Sequence, residues 1–71
     1  MKLTPVESSN IKAIGYKRET LVIQFHKEER VYLYYNVPKN VHMNFVKAPS
    51  KGSFFARHVA GKFDYSELVL A

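Results

Sequence analysis

The apolar period of this chain changes once, at Pro38, and that change limits the fold more than any other feature. Before it, Leu21, Ile23 and Phe25 alternate with Val22 and Gln24, and Val31, Leu33 and Tyr35 alternate with Tyr32, Tyr34 and Asn36. A period of two is that of a β-strand. After it, Val41, Phe45 and Ala48 recur at helical spacing, with Lys39, Asn40, Asn44 and Lys47 outside the stripe. Proline suits the first turn of a helix, where its missing N–H costs nothing. Strands come first, and helices follow.

The remaining boundaries are set by turn and cap residues. Met1–Glu7 reads as a lead-in broken by Pro5, and Ser8, Ser9 and Asn10 as a turn. Ile11–Lys17 reads as a first strand with Ile14 and Tyr16 on one face and Ile11, Ala13 and Gly15 on the other. Gly15 marks a bulge or a close backbone approach. Lys27, Glu28 and Glu29 form the turn of a hairpin between the next two strands. Pro49 ends the first helix, Ser50 caps a second that runs to about Ala60, and Gly61 stops it. Phe54, Phe55, His58 and Val59 lie on or near its inner face. Phe63 and Tyr65 alternate in Lys62–Leu70, which leaves room for a short closing strand.

The expected fold class is α+β: a three-stranded antiparallel meander followed by two short helices packed on one sheet face, β-β-β-α-α. Residues 6–65 form the single domain, with 1–5 as lead-in and 66–71 as tail. Seventy-one residues hold one domain. With no cysteine there is no disulfide, thiolate nucleophile or cysteine-based metal site. No apolar run approaches the ~20 residues of a membrane helix, so the expected setting is cytoplasmic.

Charge is unevenly spread. The formal net charge is +5, and residues 36–63 carry Lys39, Lys47, Lys51, Arg57 and Lys62 with no acidic residue. Such a stretch attracts an anionic partner, or it is simply a solvated face. Tyr16, Tyr32 and Tyr34 fall together on one sheet face if the strands pair in register, with Lys12 and His26 nearby. Rings beside cations stack unpaired bases; they also stabilise sheets and fill small cores. Ser50, Gly52 and Ser53 open the second helix beside Lys51, where backbone N–H groups suit a phosphate or simply form a capped start. The glycine spacing is not that of a P-loop.

Catalysis finds little support. Asp64 is the only aspartate, Glu7, Glu19, Glu28 and Glu29 sit in turns or the lead-in, and no serine, histidine and acid are placed together. His26, His42 and His58 have no metal-ligand spacing. No catalytic residue, metal or cofactor is expected.

Ser8-Ser9-Asn10-Ile11 with Ile14-Gly15-Tyr16, then Tyr32-Leu33-Tyr34 with Val37-Pro38, then Ala48-Pro49-Ser50-Lys51-Gly52-Ser53-Phe54-Phe55, resemble the KTSC domain family. The resemblance spans about residues 6–65. Lys17 stands where that family usually has an aspartate, and Glu28-Glu29-Arg30 where it often has a glycine. The family takes its name from the C-terminus of some lysyl-tRNA synthetases and also occurs as free-standing bacterial and phage proteins. The resemblance implies a non-catalytic module, with RNA binding suggested by that company.

Two short helices roof one face of a sheet, so the expectation is a bare face rich in tyrosine. The first reading is a nucleic-acid-binding module, with RNA as the partner, using Tyr16, Tyr32, Tyr34, Lys39, Lys47, Lys51, Arg57 and Lys62. The second is a protein–protein module whose Tyr-rich face or edge packs on a partner or on a second copy. Neither reading involves a membrane.

Overall fold

The computed structural model describes residues 3–27 and 30–69. The alternating segments pair as expected: β2 (Ile11–Lys17), β3 (Thr20–Phe25) and β4 (Arg30–Tyr34) form an antiparallel meander. Two further strands widen it. β1 (Thr4–Pro5) pairs with β2 inside the expected lead-in, and β5 (Tyr65–Val69) pairs with β4. The sheet is therefore five-stranded in the order β1-β2-β3-β4-β5. Glu28 and Glu29 of the expected hairpin turn lie outside the described residues.

The β2–β3 connection is two residues, Arg18 and Glu19, both at positive φ (50° and 63°), the backbone that tight hairpins favour. Neither is glycine, so the conformation costs energy. A contact from across the chain holds it: the Val37 N–H donates to the Glu19 carbonyl at 2.8 Å.

Register decides which side chains share a face. Ile14 is opposite Ile23, which is opposite Tyr32; Tyr16 is opposite Leu21, which is opposite Tyr34; Tyr34 is in turn opposite Tyr65. A bulge between Ile11 and Ala13 corrects the expected facing of Ile11. The extra residue returns Ile11 to the Ile14 face, where it is fully buried, and leaves Ala13 and Gly15 on the other. The bulge is thus at Lys12, and Gly15 sits in regular pairing with Val22.

α1 (Lys39–Lys47) follows Pro38 as its N-cap, and α2 (Lys51–His58) follows Ser50, whose hydroxyl accepts from the Ser53 N–H at 3.3 Å. Both helices pack on the face that bears Ile14, Leu21, Ile23 and Tyr34. Phe45 and Val59, fully buried, join those residues with Ile11 and Val37 in one core. Phe54 stacks on Phe45 with ring centroids 5.3 Å apart and is itself half-buried.

The tyrosine face is consequently the roofed face, which corrects the expected bare platform. The second face carries small side chains instead. Ala13, Gly15, Val22 and Val31 are buried there, Leu33 is half-buried and Leu68 is exposed. Among the described residues no helix is long and apolar enough to cross a membrane.

Candidate functional site

The roof over the tyrosine face is incomplete. Between α2 and the β4–β5 side of the sheet lies a groove of about 730 Å³. Its sheet wall is aromatic: Phe25, Tyr32, Tyr34 and Tyr65, with Phe55 added from the helix. The opposite wall is small: Gly52 and Ala56 of α2, then Ala60 and Gly61 just past its end, line the groove, with 52, 56 and 60 recurring every four residues. Helical spacing puts such residues on one side, and short side chains opposite large rings leave space.

The rings brace one another. Phe25 meets Tyr32 and Phe55 edge-on at 5.4 and 5.5 Å, and Tyr34 meets Phe55 edge-on at 5.6 Å. Tyr65 stacks on Tyr34 with centroids 5.3 Å apart and ring planes 29° from parallel. These are favourable arrangements for ring quadrupoles. Tyr65 is 55% exposed and Tyr34 only 5%. Burial, then the neighbouring Tyr65 and Tyr32 phenols and the Glu67 carboxylate, push the Tyr34 phenol up to about 12. Like any phenol it is protonated at neutral pH, and on the groove floor it is a hydrogen-bond donor.

One end of the groove is polar, formed by Ser9, Asn10, His26 and Lys27. The Ser8 hydroxyl accepts from the Asn10 and Ile11 N–H groups. His26 ties this turn to the end of β3: its N–H donates to the Asn10 carbonyl and its Nε2 to the Ser8 carbonyl, both at 3.0 Å. The Asn10 amide, whose own hydrogen bonds are not used among the described residues, reaches across to α2. Its Nδ2 lies 3.5 Å from where a Cβ on Gly52 would stand.

The three sequence segments that carry the family resemblance thus converge here, through Ser9 and Asn10, Tyr32 and Tyr34, and Gly52 and Phe55. Of the expected site residues, Tyr32, Tyr34 and Gly52 line the groove. Tyr16 does not: its hydroxyl donates to the Val37 carbonyl at 2.6 Å and its ring stacks on His42 at 4.5 Å. Partial burial, with Glu19 adding to it, raises the Tyr16 phenol, and burial lowers His42. Lys39 and Lys47 are exposed on α1, which contributes no groove residue among those described. The Lys51 ammonium donates to the Ala48 carbonyl at 2.6 Å, closing the turn between the helices. Ser50 and the Ser53 N–H serve the helix cap. Arg57 is exposed on α2, and Lys62 lines a separate hollow with Asp64 and Asn36. Among the described residues Lys27 is the lysine at the groove, and Tyr65, Phe25, Asn10 and Ala56 line it without being among the expected site residues. The Gly52, Ala56, Ala60 spacing was the available signal.

Among the described residues no three histidine, aspartate or glutamate side chains gather as metal ligands. The KTSC domain family model matches residues 7–63. The chain belongs to the KTSC domain family. A crystal structure of a KTSC domain protein from Yersinia pestis superposes with a TM-score of 0.89 at 40% identity, covering 94% of this chain and 96% of that one. Lysine–tRNA ligases of Nostoc punctiforme and Trichormus variabilis are 41% and 39% identical over 64 residues, 87% of this chain. The KTSC chain spans 11% of the length of those ligases.

Proposed function

We propose that this KTSC domain is a non-catalytic RNA-binding module whose contact surface is the aromatic groove beside α2. The observation that carries this reading is the groove itself: an open slot with an aromatic wall facing a wall of small residues, a phenol on its floor and amide, imidazole and ammonium groups at one end. A flat, hydrogen-bonding ligand such as an unpaired base suits that lining, since stacking on one ring contributes about 1–3 kcal/mol. Tyr65 and Tyr32 are the stacking rings, Asn10 and Tyr34 offer hydrogen bonds to a base edge, and Lys27 attracts the phosphate. Lys51 and Arg57 on α2 extend the positive field, and the net charge of +5 favours a polyanion. The likeness to segments of two lysine–tRNA ligases supports the same class of partner. Tyr16, Lys39, Lys47 and Lys62 stand outside this surface.

The test is a fluorescence-anisotropy titration of tRNA and single-stranded RNA at two salt concentrations. Binding should weaken steeply with salt as counterions are released, and Tyr65→Ala should weaken it further at either salt. Absence of binding at low salt, or binding indifferent to Tyr65→Ala, rejects the groove as an RNA site.

A further inference from the structure

The two borders of the sheet are built differently. β1 is two residues long and one of them is Pro5, which has no N–H to offer a neighbour. β5 is five residues long, is exposed throughout, and is paired on one side alone among the described residues. Its register with β4 runs unbroken from Tyr65 to Val69. It contains no proline, lysine or arginine, the usual guards of an edge strand. Its one charge, Glu67, is met by Arg30 at 3.0 Å. Flanking the outer row of backbone groups are Tyr65, Leu68 at 57% exposure and Val69 at 62%.

We infer that β5 is a self-association edge, on which a second copy of this chain lays its own β5 antiparallel to continue the sheet. A two-fold axis normal to the sheet gives that arrangement and uses the same surface on both copies. It also keeps like faces together, so residues of one face must pair with the same face of the partner. Centring the contact on Glu67 sets two carboxylates opposite each other, which opposes pairing. Centring it on Leu68 sets leucine against leucine on the second face, beside Val31, and places Glu67 opposite the partner's Val69. The strand is self-complementary in that register. Its local neutrality matters as well: the cations of residues 36–63 lie on the helices and their connections, so the net charge of the chain is not concentrated where the copies meet. Tyr65 lines the groove from β5, so each groove borders the shared edge. One strand pair is a small contact, in the range of weak and reversible association. The inference stands independently of RNA binding.

The chain has no cysteine, so Leu68→Cys introduces a single thiol at the axis. Mild oxidation should link this variant into a disulfide dimer, while Thr4→Cys on the other edge stays monomeric under the same conditions. Sedimentation equilibrium of the unaltered chain should show a mass rising with concentration from one copy toward two. Leu68→Lys and, separately, Val69→Lys should each weaken the dimer by about tenfold or more, with circular dichroism confirming the fold. A chain that stays monomeric at all concentrations, including one that takes up only a foreign strand, overturns the inference. Equal oxidation of Leu68→Cys and Thr4→Cys overturns it too.

Discussion

Tyr16 and Tyr65 stand on the same face of the same sheet, yet one is a brace and the other an open wall. Around Tyr16 every group is engaged: its hydroxyl holds the Val37 carbonyl, its ring stacks on His42, and Val37 returns its N–H to the strained Glu19. Around Tyr65 the rings pack on each other, and facing them are Gly52 and Ala56 of α2 and Ala60 past its end. The two ends of the face differ in what stands opposite the tyrosine, not in the tyrosine. α1 lowers Phe45 into the sheet at one end; at the other, α2 sets Phe55 against Tyr34 and leaves the small Gly52 and Ala56 along the groove. The position of an aromatic residue in a strand therefore assigns its face, and the helix above assigns its role.

The largest effect expected is at the closed end. Phe45→Ala empties a fully buried site and should cost about 3–5 kcal/mol. That is much of the about 5–15 kcal/mol available to a typical domain, so a chain of this size should be largely unfolded. Tyr65→Ala, in contrast, should lie within about 1 kcal/mol of the parent. Urea midpoints compare the two. If they match, the distinction between closed and open ends is wrong.

The next effect belongs to the groove. Ala56 is exposed along it, so Ala56→Leu should fill the slot while shifting stability by no more than about 0.5 kcal/mol. Displacing one stacked base should cost about 1–3 kcal/mol of RNA affinity, read in the same anisotropy titration. Retention of affinity would move the contact surface elsewhere.

Tyr16→Phe isolates the brace. The ring and its stack on His42 remain, and only the bond to the Val37 carbonyl is lost. The expected cost is about 1 kcal/mol, seen as an earlier urea midpoint with RNA affinity unchanged. A loss of affinity without a loss of stability would place Tyr16 in the binding surface after all.

The strands and helices that were legible in the sequence are those with a strong period or firm stops. Leu21–Phe25 alternates cleanly, and so does Val31–Tyr34, but the expected strand to Val37 stops short: Asn36 turns to positive φ (59°), Tyr35 is exposed and Val37 enters the helix-covered core. Pro38, Pro49, Ser50 and Gly61 bound the helices. β1 was hidden because two residues, one of them proline, carry no pattern. β5 was faint because all five residues are exposed, so no burial alternation was imposed on them. The facing of Ile11 is not legible from alternation, because the single bulged residue at Lys12 reverses every facing on one side of it. The grouping of Tyr16, Tyr32 and Tyr34 was legible from register alone. Which of them stays reachable was not, since that depends on how α1 and α2 dock, and docking is decided by side-chain volume across a long separation in the chain. The five basic residues of 36–63 do not gather at the groove: Lys39 and Lys47 stand on α1, Lys51 and Arg57 on α2, and Lys62 beyond it, and none lines the slot.

His42 gives the smallest and most selective test of the closed end. Its half-buried imidazole lies flat on Tyr16, and burial holds its pKa below the ordinary value of about 6.5. In the unfolded chain the ring takes up a proton near that ordinary value; in the folded chain it resists until a lower pH. Between the two values the unfolded state binds more protons, so stability rises with pH there. The contribution is complete above about 6.5 and is lost as the pH falls below it. His42→Phe keeps a flat ring on Tyr16 and removes the titration. His26 and His58, both exposed, are present in both proteins and cancel in the difference. Urea midpoints on either side of about pH 6.5 should therefore fall further on acidification for the parent than for His42→Phe. Equal falls would mean that water reaches the Tyr16 end as freely as the groove, and the contrast between a braced tyrosine and an open one would not hold.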